Sequence, residues 1–457
     1  MKKTNATDTA ILETIYEIFV IIAYIFGFYF YIRRKLKSMN KSIFYIPDNE
    51  FLNHTNLNLN ILFSINQNQA QLKSFKDWIM GLSRSKINSI SSLTKDEQFT
   101  IISELANYAI MEPYIPLNNS CKPQIQMSLK CEDYPLAFDG YRNSSSPKPK
   151  IAHLIQYGFE ADVLEILLSE IYEYIDKFFI VESEVAHYQS IRKPLFWPLI
   201  SHQKRFEKYL DKIVYFNISS EMIENYSQYL DQEEQESIWR NELIQEKLRF
   251  KLFLEWNEKN GKYFKDNDLI GFGDTDEIPS FHNLILMKEC QVRGTTDIGI
   301  WFTFGQMNKY FISDYPVPQH KETLGDPTYW LLRDAIKNGS PSRNRGKSPY
   351  YLLGGIHLSR YGYLPTIILK DLLQTENDGG VLLTIVRNLL ERKISMKEIN
   401  RKIFYEGEFT TEPKKYLDLQ TELLNKPPFM IPWIMKCNPL RYPSFLPDYP
   451  IDQRIDD

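Results

Sequence analysis

The sequence predicts an α/β fold: a mostly parallel sheet flanked by helices, preceded by an N-terminal membrane-anchor helix. Three observations carry this reading. From residue 151 onward, short apolar runs alternate with segments of helical periodicity. Two of those runs end abruptly in acidic residues. Residues 18–32, IFVIIAYIFGFYFYI, hold no charge at all.

The anchor comes first. The uncharged run is shorter than the roughly 20 residues that span a bilayer. Residues 11–17, with Glu13 and Glu17 at the interface, complete it. Tyr24, Phe28, Tyr29 and Tyr31 crowd its far end as an aromatic belt would, and RRKLK follows. With no small-residue cleavage site after it, an uncleaved anchor fits better than a signal peptide. A buried core helix is the other reading of such a run. Arg33, Arg34, Lys35 and Lys37 outnumber Lys2 and Lys3, so the charge bias alone points the C-terminal part to the cytosol.

Residues 38–150 form a stem or small accessory region. An Asn- and Gln-rich stretch (53–71) reads as loop, residues 74–110 are helically periodic, and SLTKDEQ (92–98) marks a helix start. YRNSSSPKPK (141–150) reads as a Ser/Pro/Lys linker and places a domain boundary.

The catalytic part spans 151–445, with a C-terminal tail at 446–457. IAHLIQY (151–157) reads as a strand. In residues 159–177, Val163, Leu164, Leu167, Leu168, Ile171, Tyr174 and Ile175 share a helical face. KFFIVES (177–183) is a second strand, carrying Glu182 near its end, and DKIVYFNI (211–218) a third. Residues 239–256 form a helix with Trp239, Leu243, Leu248, Leu252 and Trp256 roughly aligned. NDLIGFG (267–273) is the next strand. Strands alternating with helices imply a parallel sheet with both faces covered, and such sheets bind ligands at the strands' carboxyl ends.

Composition limits the function classes. The chain has 457 residues, 43% hydrophobic and 25% charged, which is ordinary globular usage. A net charge of −4 supplies no basic field for nucleic acid. Cys121, Cys131, Cys290 and Cys437 show no zinc-type spacing. Cys121 and Cys131 either close a small disulfide loop or remain two free thiols.

The chemistry concentrates in DNDLIGFGDTDEIPS (266–280), where Asp274, Asp276 and Glu277 follow a core strand and Pro279 ends it. Two carboxylates two residues apart on a turn can aim at one hard cation, which takes oxygen ligands plus substrate phosphates. The bland reading is a solvated acidic turn. Downstream, the loop NGSPSRNRGKSPY (338–350) offers Arg343, Arg345 and Lys347, either as a solvated flexible loop or as a lid that closes on a diphosphate. Its glycines lack P-loop spacing.

The acidic stretch resembles the DDLIIISDVDEIP-type segment of glycosyltransferase family 17. Other segments are similar in the same order: 159–183, HYQSIRKPLFW (187–197), WRNELIQ (239–245), GGIHLSRYG (354–362), LQTE (373–376) and IPWIMKCNPLRY (431–442). Three positions depart from the family pattern: Leu167 replaces an Arg, Ile356 a Trp and Gln374 a His.

The resemblance implies a GT-A-like fold and inverting transfer of N-acetylglucosamine from UDP-N-acetylglucosamine. The acceptor would be a mannose-containing glycan or glycoprotein, as for β-1,4-mannosyl-glycoprotein 4-β-N-acetylglucosaminyltransferase, with Mn²⁺ or Mg²⁺ as cofactor. It implies Asp276 as metal ligand, Asp274 as second ligand or donor contact, and His357 as third ligand, the alternative for His357 being a solvated loop histidine. Glu182 would bind donor ribose or uracil, or be an exposed strand-end acid, and Arg345 would contact the donor. Glu277 and Glu376 are the candidate bases, with Glu376 lying outside the metal cluster; Glu277 could instead cap the adjacent turn. For eukaryotic members the resemblance implies a single-pass protein whose catalytic part faces the Golgi or ER lumen, against the charge bias. Two other functions fit parts of the pattern: an inactive membrane-tethered glycan-binding protein on the same fold, and a metal-dependent phosphoesterase.

Overall fold

The computed structural model describes residues 73–110 except 89, and 123–374 except 124, 126, 188, 189, 305, 312, 313, 340, 360, 362 and 363. It also describes 381–394, 399, 416–418, 431–438 and 442. The expected membrane anchor and most of the stem lie outside them. Among the described residues no helix is long and apolar enough to cross a membrane.

The strands in chain order are β1 (Phe138–Tyr141), β2 (Ile151–Gln156), β3 (Lys177–Ser183), β4 (Ile213–Ile218), β5 (Leu269–Asp274), β6 (Glu277–Pro279), β7 (Cys290–Val292), β8 (Thr296–Phe304), β9 (Gln306–Phe311), β10 (Thr323–Leu331), β11 (Tyr350–Ser359) and β12 (Tyr416–Asp418). The helices that matter here are α1 (Lys95–Ile110), α2 (Ala161–Ile171), α3 (Arg240–Lys259), α4 (Phe281–Glu289), α5 (Leu332–Asn338), α6 (Leu364–Leu373), α7 (Val381–Glu391) and α8 (Trp433–Cys437).

One large sheet runs β12-β9-β8-β10-β5-β2-β3-β4, with β11 joined to β8 and β6. Only part of it is parallel. β5, β2, β3 and β4 run parallel to one another, and β11 runs parallel to β8. β10 is antiparallel to both β5 and β8, and β9, β12 and β6 also pair antiparallel. The expectation of a mostly parallel sheet is thus corrected to a mixed one. Strands β8 to β10 follow one another through short connections, which return the chain antiparallel. The long helical crossovers that parallel pairing needs occur only in the first half.

In that first half β2, β3 and β5 are buried on both faces, which is why they read as unbroken apolar runs, while the edge strand β4 is half-buried. Ile151 and Ile155 of β2 face one side with Phe178 and Ile180 of β3, packed against Leu164, Leu167 and Leu168 of α2. Ala152, Leu154 and Phe179 face the other, beneath Phe250 and Phe253 of α3. The expected face of α3 is only part of the buried one: Leu248 is buried and Leu243, Leu252 and Trp256 pack half-buried against the core. Trp239 is exposed, and Asn241, Ile244, Gln245, Leu248 and Arg249 turn inward. Hydrophobic periodicity finds only part of this face because half of what it buries is polar.

The described residues before 151 belong to the same packing. At the expected start of α1, Thr94 and Glu97 form a capping box, with Glu97 N donating to Thr94 Oγ1 at 3.3 Å and Thr94 N to Glu97 Oε2 at 3.2 Å. Ile101, Ile102 and Leu105 of α1 enter the core that holds α2 and α6. The segment expected as a linker is fastened at both ends. Arg142 N donates to Glu289 O at 3.0 Å, and Lys150 N to Asp268 Oδ1 at 2.8 Å. Strand β1 pairs with β7, and Cys131 forms a disulfide with Cys290 across 159 positions of sequence. Neither expectation for Cys131 stands: it pairs neither with Cys121 nor as a free thiol, because the β1–β7 ribbon brings it beside Cys290. Cys437 is disulfide-bonded as well.

Candidate active site

Strands β2, β3 and β5 end side by side, with Gln156 in register with Asp274. Between β5 and β6 the chain reverses through Thr275 and Asp276. Three bonds hold the turn: Asp274 N donates to Glu277 Oε2 at 2.8 Å, Thr275 Oγ1 to Gln156 O at 2.9 Å, and Leu358 N to Asp276 O at 2.8 Å. Pro279 is the last residue of the short strand β6, opposite Gly355 of β11, so extended structure stops there as expected. That close approach explains Gly355: a Cβ there would lie 2.3 Å from Ile278 O, and its φ is +132°.

The three carboxylates diverge. Asp276 points to one side, where Lys370 Nζ of α6 lies 2.6 Å from its Oδ2 and also binds Glu160. His357 Nε2 of β11 stands 3.4 Å from the same oxygen. Burial opposes the charge on Asp276, but the Lys370 ammonium and His357 outweigh it and hold the carboxyl below the usual range. Burial, aided by Lys370, pushes His357 down to about 4, so its imidazole is neutral at neutral pH. The ring lies edge-on to Phe302, with centroids 4.5 Å apart. It is a packed residue and not a solvated one.

Asp274 and Glu277 point to the other side, into a cage around Arg343. This guanidinium donates to Asp274, to Glu277 Oε1 at 3.0 Å, to Glu246 Oε1 at 2.8 Å and to Glu242 Oε1 at 2.7 Å. The flexible-loop reading of residues 338–350 is therefore corrected at Arg343, which is buried. A guanidinium offers five donors in a rigid fork, and four carboxylates occupy it. Arg345, expected to touch the donor, reaches Glu242 at 3.0 Å and stays half-buried beside the Tyr315 ring. Lys347 is exposed.

Two assignments change with the geometry. Glu182 is neither an exposed acid nor open to a ligand. Its Oε1 accepts from Lys193 Nζ at 3.1 Å and Phe196 N at 2.6 Å, and its Oε2 from Trp197 N at 3.0 Å and Tyr215 OH at 3.3 Å. It clamps the chain that follows β3. Glu277 has both oxygens engaged, by Arg343 and by Asp274 N, so it braces the turn and does not stand open as a base. Burial raises its pKa well above the ordinary range, and the neighbouring Asp274 adds to the rise against the pull of Arg343. Glu376 lies outside the described residues. Of the three departures, Leu167 and Ile356 are buried in the core, and Gln374 lines the cleft described next.

A cleft opens at these strand ends. Its walls include Gln156, Glu160, His187, Gln245, Asp276 and Lys370. Glu160, Glu242, Glu246 and Lys370 escaped the sequence reading, where Arg343 figures only as part of a loop or lid. Two signals were present. Lys370 is a lone cation inside the apolar run TIILKDLL, and Glu242, Glu246 and Arg249 follow an i, i+4, i+7 spacing that places them on one face of α3.

Among the described residues no three His, Cys, Asp or Glu side chains surround one point as a closed metal site. Asp276 and His357 do converge, one an ionised carboxylate and the other a neutral imidazole, and Asp274 keeps one buried oxygen, Oδ1, without a hydrogen-bond partner. Two protein ligands suit a cation that completes its shell with phosphate oxygens, so these residues fit the expected Mn²⁺ or Mg²⁺.

Residues 119–313 match the family model described as glycosyltransferase family 17. No curated protein matches the chain. The matched segment contributes Glu160, Glu242, Glu246 and Asp274–Glu277 to the site. Arg343, His357 and Lys370 arrive from beyond it.

Proposed function

We propose, from the match of residues 119–313 to the glycosyltransferase family 17 model, that the chain is a glycosyltransferase that transfers N-acetylglucosamine from UDP-N-acetylglucosamine, with inversion and with metal dependence, to a mannose-containing glycan. The observation that carries the proposal is the pairing of Asp276 with His357, 3.4 Å apart, at the carboxyl end of β5, where Asp276 lines the cleft. A GT-A-type arrangement of the mixed sheet accords with it.

In the proposed reaction the acceptor hydroxyl oxygen bonds to the anomeric carbon as the bond to the diphosphate oxygen breaks. The electron pair leaves with the diphosphate, and the hydroxyl proton passes to a carboxylate, for which we assign Glu376. Asp276 and His357 would hold the divalent cation, which when bound neutralises charge on the diphosphate. Lys370, in the cleft wall and fixed by Asp276 and Glu160, adds a second positive charge on that side. Arg343 sets the direction of Asp274 and Glu277 and so the shape of the turn.

The purified full chain, offered a panel of nucleotide sugars with Mn²⁺ and glycan acceptors, tests the proposal. UDP release and a product heavier by one N-acetylhexosamine are expected with UDP-N-acetylglucosamine. Transfer from no nucleotide sugar would overturn it.

We also propose a lumenal catalytic part behind an N-terminal anchor. Disulfides persist in oxidising compartments, and the bonded Cys131, Cys290 and Cys437 support this side of the membrane. Within 151–445 the sequon asparagines Asn217, Asn225 and Asn338 are all exposed. Expression in a eukaryotic host should give a glycosidase-sensitive mobility shift that becomes smaller when these three become Gln. An unshifted band with a protease-sensitive catalytic part in sealed vesicles would place it in the cytosol.

A further inference from the structure

Gln156 ends β2 on the wall of the cleft, and its side-chain oxygen Oε1 is buried with no hydrogen-bond partner among the described residues. Buried acceptors are rarely left this way, since the desolvation they suffer goes uncompensated. The orientation of the amide follows from its neighbours. Gln245 Nε2 donates to Val185 O at 3.0 Å, so Gln245 must present its Oε1 to Gln156. Gln156 Nε2 donates to that oxygen at 2.9 Å and lies 2.6 Å from His187 Nε2. His187 Nε2 also lies 3.2 Å from Gln245 Oε1, and its Nδ1 lies 3.7 Å from Glu242 Oε2. A flipped Gln156 amide would set oxygen against oxygen at Gln245. Its Oε1 therefore faces away from this relay. The backbone is pinned too, because Thr275 N and Oγ1 both donate to Gln156 O, at 3.2 and 2.9 Å.

We infer that Gln156 Oε1 accepts a ring N–H from the donor's nucleobase and thereby selects uracil over cytosine. The inference rests on the nucleotide-sugar reading above and names the base that the site takes. Uracil carries a proton on N3. Cytosine in the same pose turns an unprotonated N3 lone pair toward Oε1, which leaves two acceptors facing each other. A site built to bond a ligand N–H rejects the analogue that lacks it. Val185 and Ala186 give the same stretch of cleft an apolar surface for a flat ring.

Calorimetric titration of the full chain with UDP and with CDP, both in Mn²⁺, tests this. UDP should bind at least about tenfold more tightly, the factor expected for one well-made hydrogen bond against a mismatch. Gln156→Leu should lower UDP affinity by about tenfold or more and leave CDP within about threefold, so that the preference disappears. Gln245→Leu, which releases the amide without touching the base, should erode the same preference, and it supplies the readout should Gln156→Leu melt well below the wild type. Equal affinities for UDP and CDP in the wild type, or a preference unchanged in both variants, would overturn this inference and leave the glycosyl-transfer proposal standing. Binding of neither nucleotide would overturn both.

Discussion

Lys370 Nζ and His357 Nε2 share one oxygen: Asp276 Oδ2 lies 2.6 Å from the first and 3.4 Å from the second. The same carboxylate thus anchors a buried cation from α6 and adjoins a neutral imidazole from β11. Glu160 is the second counter-ion of Lys370. Removing Asp276 therefore leaves the lysine paired, and the fold survives a change that the chemistry does not.

Asp276→Ala is expected to lower transfer by roughly two orders of magnitude or more, as loss of a fixed electrostatic group does. The melting temperature should fall, but by less than the roughly 3–5 kcal/mol that follows when a buried charge loses its sole partner. Activity and thermal melting of the same preparation check both halves. Wild-type turnover in this variant would remove Asp276 from the site.

His357→Ala should shift the Mn²⁺ concentration needed for half-maximal activity upward by about 10- to 100-fold, with acceptor KM little changed at saturating metal. An unaltered metal titration would leave His357 with only its packing against Phe302.

Arg343→Met tests the cage. Asp274, Glu277, Glu242 and Glu246 all bind this guanidinium. Without it four carboxylates face one another in a buried space, and we expect a loss of about 3–5 kcal/mol in unfolding free energy, or failure to fold at neutral pH. Arg345→Ala, at a half-buried position with the single partner Glu242, should cost about 1 kcal/mol or less. Denaturant unfolding of the two variants side by side measures the difference. Similar losses in both would mean that the cage does not support the fold.

Glu170 carries a pH dependence. Its oxygens accept from Phe281 N of α4 at 3.4 Å and Trp433 N of α8 at 3.0 Å. Burial pushes its pKa up to about 7, against the pull of these amides and of Lys436. The native state then binds more protons than the unfolded chain between pH of about 4.5 and 7, so stability falls as pH rises across that window and this contribution is flat outside it. The total is on the order of 3 kcal/mol. Glu170→Gln should flatten that part of the stability profile, as read from unfolding midpoints at several pH values. An identical slope in the variant would show that Glu170 does not titrate in this range.

Most of the parallel half of the sheet was readable from sequence because burial on both faces leaves continuous apolar runs. Those runs gave β2, β3 and β5 nearly to the residue, and the Asp274–Glu277 stretch fell at a strand end as expected. The antiparallel half was not anticipated, since the strand–helix rhythm that signals crossovers simply stops after β7. The site itself was only half legible. Asp276 and His357 lie in recognisable segments, but their partners come from elsewhere. Arg343 and Arg345 stand two residues apart in a loop without periodicity, and nothing local distinguishes the buried one from its half-exposed neighbour. Glu182 looked like a ligand contact because it ends a strand. Its four hydrogen bonds come from residues 11 to 33 positions away, a distance over which sequence pattern is silent.

The Cys131–Cys290 disulfide closes the chain into a covalent ring that contains β2 through β6, and with them Gln156, Glu160 and Asp276. Arg343, His357 and Lys370 thread in from outside that ring. A single cut anywhere inside it opens a loop without freeing a piece. The exposed Tyr229, Ile238 and Trp239 mark where a protease would find the ring most accessible. A protein nicked there would run as one band until reducing agent is added, and its two fragments would then divide the donor-facing residues between them.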